Sequence, residues 1–248
     1  MAGHSKWASI KHKKKAVDAK RGKLFTKLGR AITVAAREGG GDPDGNPSLA
    51  TAIEKAKSYS MPKDNIQRTI DRGTGEGSDA AAIERILYEG YGPGGAALLV
   101  EVLSDNRNRT GSEIRHAFDR HGGSLGEPGS VAWMFDKRGV ILVDGDSHTE
   151  DDLLVAVDAG ADDVVAFDEG YKVLSDPADL AGVRRTLESE GIKITSAEVT
   201  MEPKTTVEVE LDEARKLMRL IETIDDHDDV DQVHGNFDIP AKLIEELA

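Results

Sequence analysis

The chain has 248 residues, of which 38% are hydrophobic, 31% are charged and only 4% are aromatic. This length predicts two or three domains, and the hydrophobic fraction excludes a disordered chain. Cysteine is absent, which excludes disulfides, thiolate zinc sites, iron–sulfur clusters and cysteine nucleophiles. The apolar segments are too short to cross a bilayer and the first residues contain no apolar signal segment, so we expect a cytoplasmic protein without a membrane partner.

The charge is distributed unevenly along the chain. The formal net charge is −14, yet residues 1–75 carry 16 Lys and Arg against 7 Asp and Glu. Within residues 1–37 there are 11 basic residues and a single acid, Asp18. A basic segment attached to an acidic body indicates a nucleic-acid partner. A lysine-rich face that is merely solvated is the alternative interpretation.

Residues 1–77 are predicted to form a basic three-helix domain. Apolar residues at helical spacing between Val17 and Ala35 give the first helix one buried stripe, and its basic residues fall on one flank of that stripe. The dipeptide Asn46-Pro47 predicts an N-cap and the first residue of a second helix. A third helix is expected after Met61-Pro62.

Beyond residue 78 the hydrophobic period changes to two, which predicts strands. Residues 83–91 and 96–103 should form a hairpin across a Gly-Pro-Gly-Gly turn. Further strands are predicted over 130–135 and 205–211, and a helix over 149–159. The order of elements over residues 139–200 is β-α-β-β-α-β, which is the ferredoxin-like pattern.

The common enzyme motifs are absent from the sequence. There is no phosphate-binding loop, no dinucleotide-binding glycine motif after a strand and no G-x-S-x-G element. His116 and His121 would lie on different helix faces, which fits a metal poorly, and the acidic run 225–229 is interpreted as a solvated helix end. We therefore predict a protein that is not an enzyme, with no catalytic residue, metal, cofactor or small-molecule substrate. An enzyme with a cleft between its two α+β domains is an alternative hypothesis.

Two arginines and a tryptophan are candidate nucleic-acid contacts. Arg107 and Arg109 lie in a polar loop between a predicted strand and helix, and guanidinium groups beside amides suit phosphate. The alternative interpretation is that Asn108 or Thr110 caps the helix and the arginines are merely solvated. Trp7, next to Lys6, is suited to stacking on an unpaired base or to anchoring the basic segment on the helical domain.

Several motifs resemble those of the YebC/PmpR family, and the resemblance covers essentially the whole chain. The motifs are Gly3-His4-Ser5-Lys6-Trp7, Asp18-Ala19-Lys20-Arg21-Gly22-Lys23, Gly39-Gly40-Gly41-Asp42-Pro43, Met61-Pro62-Lys63-Asp64-Asn65-Ile66, Tyr88-Glu89-Gly90-Tyr91-Gly92-Pro93-Gly94-Gly95 and Asn236-Phe237-Asp238. The resemblance implies a three-domain α+β protein that is not an enzyme. Its parts would be the three-helix domain (1–77), a discontinuous α+β domain (78–136 plus 203–248) and a ferredoxin-like domain inserted into the latter (137–202).

The resemblance also implies a regulator of gene expression. The family includes probable DNA-binding transcriptional regulators, a mitochondrial translational activator and relatives linked to ribosomes stalled on proline-rich sequences. By analogy, the basic residues expected to bind nucleic acid are Lys6, Lys11, Lys13, Lys14, Lys15, Lys20, Arg21, Lys23, Lys27 and Arg30, with Arg107 and Arg109 as secondary candidates.

Between the two nucleic acids, the sequence favours RNA. A long DNA duplex would be repelled by the acidic body, and neither a helix-turn-helix signal nor an evident set of base-reading side chains is present. We therefore predict a translation factor that contacts ribosomal RNA and relieves stalling. A transcriptional regulator bound to promoter DNA is the alternative.

Overall fold

The computed structural model describes residues 21–75, 83–167 and 170–239. Over these ranges the protein is α+β, as predicted, with a helical N-terminal part followed by two parts built on sheets. Three larger clusters of buried apolar side chains form, one in each part. No helix in the described ranges is long and apolar enough to cross a membrane.

Three helices make up the N-terminal part: α1 (Arg21–Gly39), α2 (Pro47–Ser58) and α3 (Lys63–Gly73). The predicted N-cap is confirmed, since the Asn46 side-chain oxygen accepts from the backbone N–H of Leu49 at 3.1 Å. The buried Asn46 amide also donates to the carbonyls of Ala35 and Gly40, at 2.8 and 2.9 Å. One side chain therefore starts α2 and fixes its position against the end of α1.

The middle part is a four-stranded sheet with two helices on one face. Its elements are β1 (Glu84–Tyr91), β2 (Ala97–Ser104), α4 (Arg107–Arg120), β3 (Ser124–Leu125), α7 (Leu211–Asp225) and β9 (Val230–Gly235). The strand order is β3-β1-β2-β9. The predicted hairpin between β1 and β2 is confirmed, and Gly94 and Gly95 provide its turn with φ values of 73° and 75°. Two short strands form a parallel pair. They are β8 (Val207–Glu208), which precedes α7 in the chain, and β10 (Phe237–Asp238), which follows β9.

The third part has the predicted β-α-β-β-α-β order. Its elements are β4 (Phe135–Asp144), α5 (Leu154–Asp158), β5 (Ala161–Phe167), β6 (Gly170–Ser175), α6 (Leu180–Ser189) and β7 (Ile194–Pro203). The antiparallel sheet has the order β5-β6-β4-β7, which is the ferredoxin-like arrangement.

The strands β4 and β7 continue into the middle part, and they pair from Phe135↔Pro203 to Val143↔Ile194. The domain limits expected at 136/137 and 202/203 therefore lie inside a continuous ribbon. Phe135, which is 4% exposed, packs in a small cluster with Ala97 and Leu99 of β2. This ribbon joins the ferredoxin-like part to the sheet of the middle part.

One local prediction is wrong, and two elements are shorter than predicted. Residues 130–135 do not form a strand: a 3-10 turn, Ala132–Met134, precedes β4, and the buried carboxylate of Glu89 accepts from the N–H groups of Val131 and Ala132. The helix expected over 149–159 has shorter bounds: a 3-10 turn, Asp151–Leu153, leads into α5, and Asp152 accepts from the backbone N–H and the hydroxyl of Thr149, both at 2.8 Å, at its start. The strand expected over 205–211 is reduced to β8, since α7 already begins at Leu211.

Candidate nucleic-acid interface

Part of the predicted set lies outside the described residues. This group comprises Lys6, Trp7, Lys11, Lys13, Lys14, Lys15 and Lys20. Arg21 is the first residue of α1. The structure therefore describes the surroundings of Lys23, Lys27, Arg30, Arg107 and Arg109.

Three cations of α1, Lys23, Lys27 and Arg30, face a turn at the end of α7; we call them the basic flank. The turn, residues 225–229, is called the acidic turn. The ammonium of Lys27 donates a hydrogen bond to the carbonyl of Asp225, and the guanidinium of Arg30 donates to the carbonyl of Asp228 at 2.9 Å. Lys23 lies 3.5 Å from the carboxylate of Asp228, where both side chains are 60% exposed. The basic flank is thus in contact with acidic residues of the same chain.

Asp229 is the centre of this contact. Its side chain is 3% exposed, and its Oδ1 accepts from the guanidinium of Arg30. Its Oδ2 accepts from Thr110 at 2.6 Å, from Arg109 at 2.7 Å and from Ser104 at 3.1 Å. Burial opposes ionisation of this carboxyl, but the donors from Thr110, Arg109 and Arg30 hold its pKa far below the usual range. A single buried carboxylate therefore links the helical part to the middle part.

The acidic turn differs from the solvated helix end that the sequence predicts. Asp229 is buried and paired with two arginines. Sequence reasoning missed this residue because its partners lie 119 to 199 positions away. The signal in the sequence that could have predicted this contact is the opposite charge of the acidic turn and the basic flank.

The polar loop before α4 is also shorter than expected. The helix begins at Arg107, and its N-cap is Asn106, whose side chain accepts from the N–H of Arg109 at 3.0 Å. Neither Asn108 nor Thr110, the caps of the alternative interpretation, is the N-cap. Arg109 pairs with Asp105 at 2.9 Å as well as with Asp229, whereas Arg107 is exposed in the first turn of α4.

The histidines and acids in the described ranges do not gather into a metal site: no group of three or more His, Asp or Glu is placed to hold an ion. His121 shares a hydrogen bond of 3.0 Å with Thr223 of α7. Burial, together with the charges of Arg120 and Arg219, lowers the pKa of His121 below its ordinary value. This histidine is therefore part of the contact between α4 and α7.

Comparison with known proteins identifies relatives along almost the whole chain. Residues 5–76 match the family model described as the TACO1/YebC protein N-terminal domain, and residues 83–237 match that of the TACO1/YebC second and third domain. A probable transcriptional regulatory protein of Rubrobacter xylanophilus is 54% identical over 249 residues, covering 100% of both chains. Another protein of that name, from Moorella thermoacetica, is 56% identical over 252 residues, covering 100% of this chain and 99% of the relative.

A solved structure supports the same relationship. The crystal structure of a conserved hypothetical protein, Aq1575 of Aquifex aeolicus, has a TM-score of 0.80 and 44% sequence identity, covering 90% of this chain and 92% of that one. The sequence matches and the shared fold lead to one conclusion: the chain belongs to the TACO1/YebC family.

Proposed function

We propose that this protein is a regulator of gene expression that is not an enzyme and binds nucleic acid, acting as a translation factor on ribosomal RNA. The observation that carries the proposal is the segregation of charge: residues 1–37 contain 11 basic residues and one acid in a chain of net charge −14. A cationic segment of this kind neutralises phosphates and releases counterions, whichever nucleic acid it meets. The name of the relatives, probable transcriptional regulatory protein, supports a regulatory role.

The position of Asp229 supports a single surface formed by α1 and α4 rather than one separate surface on each helix. Arg30 of α1 and Arg109 of α4 bind the two oxygens of the same carboxylate. The basic flank and the first turn of α4 are therefore neighbours, although they are far apart in the sequence. At this junction Lys23, Lys27 and Arg30 are compensated by the acidic turn, whereas Arg107 is exposed in the first turn of α4.

The packing of α1 favours RNA over a DNA duplex. A recognition helix must enter the major groove with one face free. Here the basic flank contacts the acidic turn, and Arg30 is only 25% exposed. Phosphate contacts from the edge of such a surface suit a folded RNA, which proteins recognise largely by shape and by its unpaired segments.

The test compares two pairs of charge reversals. We expect Lys13→Glu with Lys15→Glu to reduce binding to purified ribosomal RNA by about tenfold or more and to flatten its salt dependence. The matched control is Lys57→Glu with Lys63→Glu, which reverses two exposed lysines of α2 and α3. Filter binding across a salt series measures both pairs. Equal affinities of the two variants, or a wild-type chain that does not bind at low salt, would refute the proposal.

A DNA-binding transcriptional regulator is the second candidate, and the name of the relatives favours it. Crosslinking in cells, followed by sequencing of both RNA and DNA, distinguishes the two. Reads dominated by ribosomal RNA support the translation factor. Reads dominated by promoter fragments replace it with the transcriptional regulator.

A further inference from the structure

A groove of about 360 Å³ runs along α4 where this helix faces β1 and β3. We call it the α4 groove. Its polar wall is formed by Arg107, Asn108, Ser112 and Arg115 of α4, and Tyr88 and Leu125 form its apolar wall. The groove is shallow and open to solvent. It is therefore suited to one small unit of a ligand.

The two arginines of the α4 groove lie within a chain that is acidic overall. Arg107 and Arg115 are exposed and lie on one side of α4, two turns apart. The neighbouring acids are engaged elsewhere, because Asp105 pairs with Arg109 at 2.9 Å and Glu113 with His227 at 2.7 Å. Among the residues that the structure describes, no carboxylate is ion-paired with Arg107 or Arg115, whereas Arg109 is paired twice.

Tyr88 gives the α4 groove a rigid aromatic side. Its hydroxyl donates to the carbonyl of Arg107 at 3.1 Å, and the ring is half-buried. Gly111 allows the close approach: a Cβ there would lie 3.0 Å from the Tyr88 hydroxyl oxygen. Leu125 pairs with Gly90 in the sheet, which brings it to the same side as Tyr88. Two guanidinium groups thus face a fixed apolar wall.

We propose that the α4 groove binds one nucleotide of single-stranded RNA, with the phosphate on Arg107 and Arg115 and the base against Tyr88 and Leu125. Guanidinium groups recognise phosphate with paired N–H donors, and an unstacked base of any sequence can stack on an aromatic face. The proposal rests on the proposed function and extends it.

The test measures binding of a fluorescein-labelled decauridylate by fluorescence anisotropy. The variant is Arg107→Gln with Arg115→Gln, and the matched control is Arg68→Gln with Arg185→Gln, two exposed arginines outside the groove. We expect the groove variant to lose about tenfold or more in affinity and to show a salt slope reduced by about 0.7, the value for one phosphate contact on a single strand. The control should bind like the wild type.

A second variant separates base from phosphate. Tyr88→Leu removes the ring, and we expect a loss of about five- to tenfold on decauridylate but none on a ribose-phosphate strand without bases. Equal loss on both strands, or no loss on either, overturns the assignment of the base. Circular dichroism of each variant checks that the fold is kept.

The outcomes separate this proposal from the proposed function. If Lys13→Glu with Lys15→Glu weakens decauridylate binding while Arg107→Gln with Arg115→Gln does not, the α4 groove is overturned and the proposed function remains. If the wild-type chain binds neither decauridylate nor ribosomal RNA, both are overturned. If uridine monophosphate occupies the groove and decauridylate does not compete with it, the ligand is a free nucleotide and the strand proposal is overturned.

Discussion

Replacing Asp229 with alanine should loosen the helical part from the middle part. The substitution removes the acceptor shared by Arg30, Arg109, Thr110 and Ser104. The hydroxyls of Thr110 and Ser104 lie 2.7 Å apart, so one can donate to the other once the carboxylate is gone. The two arginines lose a buried counter-ion, so the main cost is electrostatic.

The size of the destabilisation follows from the burial of the Asp229 side chain. Removing one partner of a buried ion pair costs about 3–5 kcal/mol. The side chains of Arg30 and Arg109 are 25% and 44% exposed, so water partly solvates them once Asp229 is gone. We therefore expect a loss at the lower end, about 3 kcal/mol in the free energy of unfolding. The control Asp228→Asn removes an exposed carboxylate and should cost less than about 1 kcal/mol.

Urea denaturation followed by circular dichroism measures both variants. The decline of stability at acid pH, here called the acid limb, is a second readout. The pKa of Asp229 is lower in the folded chain than its unfolded value of about 3.9. The stabilisation by this carboxylate is therefore present above the unfolded pKa and is lost as the pH falls toward the folded pKa. Asp229→Ala should therefore flatten the decline of stability below about pH 4. Surface substitutions that touch no special feature usually change stability by no more than about 0.5 kcal/mol. An Asp229→Ala chain within that range of the wild type, with an unchanged acid limb, would refute the reasoning.

Other substitutions test the remaining contacts. Glu89→Gln should cost about 1–3 kcal/mol and speed amide exchange at Gly129, Val131 and Ala132, because the buried carboxylate accepts from all three N–H groups; slow exchange in the variant would contradict this. Asn46→Ala should cost about 2 kcal/mol in urea unfolding, since it removes the N-cap of α2 and its two bonds to the end of α1; a loss below about 0.5 kcal/mol would show that the cap is dispensable. Asp228→Asn should raise the affinity for ribosomal RNA about twofold in filter binding, because it frees Lys23 from the carboxylate at 3.5 Å; lower affinity would count against a role for Lys23.

Much of the architecture was predictable because its signals are local. Asn46-Pro47 indicates the start of α2, and Gly94 and Gly95 provide the positive φ that the β1–β2 turn requires. The ferredoxin-like order follows from alternating periods over short windows. The excess of cations in residues 1–37 is a property of composition and needs no fold to be seen.

The site itself depended on tertiary structure. Its contacts join residues that are distant in the chain. Asp229 is buried and joins Arg30 to Arg109. Arg107 and Arg115 share a groove with Tyr88. The conformation of residues 130–135 also depends on a distant residue. Their apolar pattern suggests a strand, but Glu89 accepts from the N–H groups of Val131 and Ala132. Periodicity and caps act within a few turns of chain, whereas the desolvation and pairing of a charge depend on what the folded chain brings beside it.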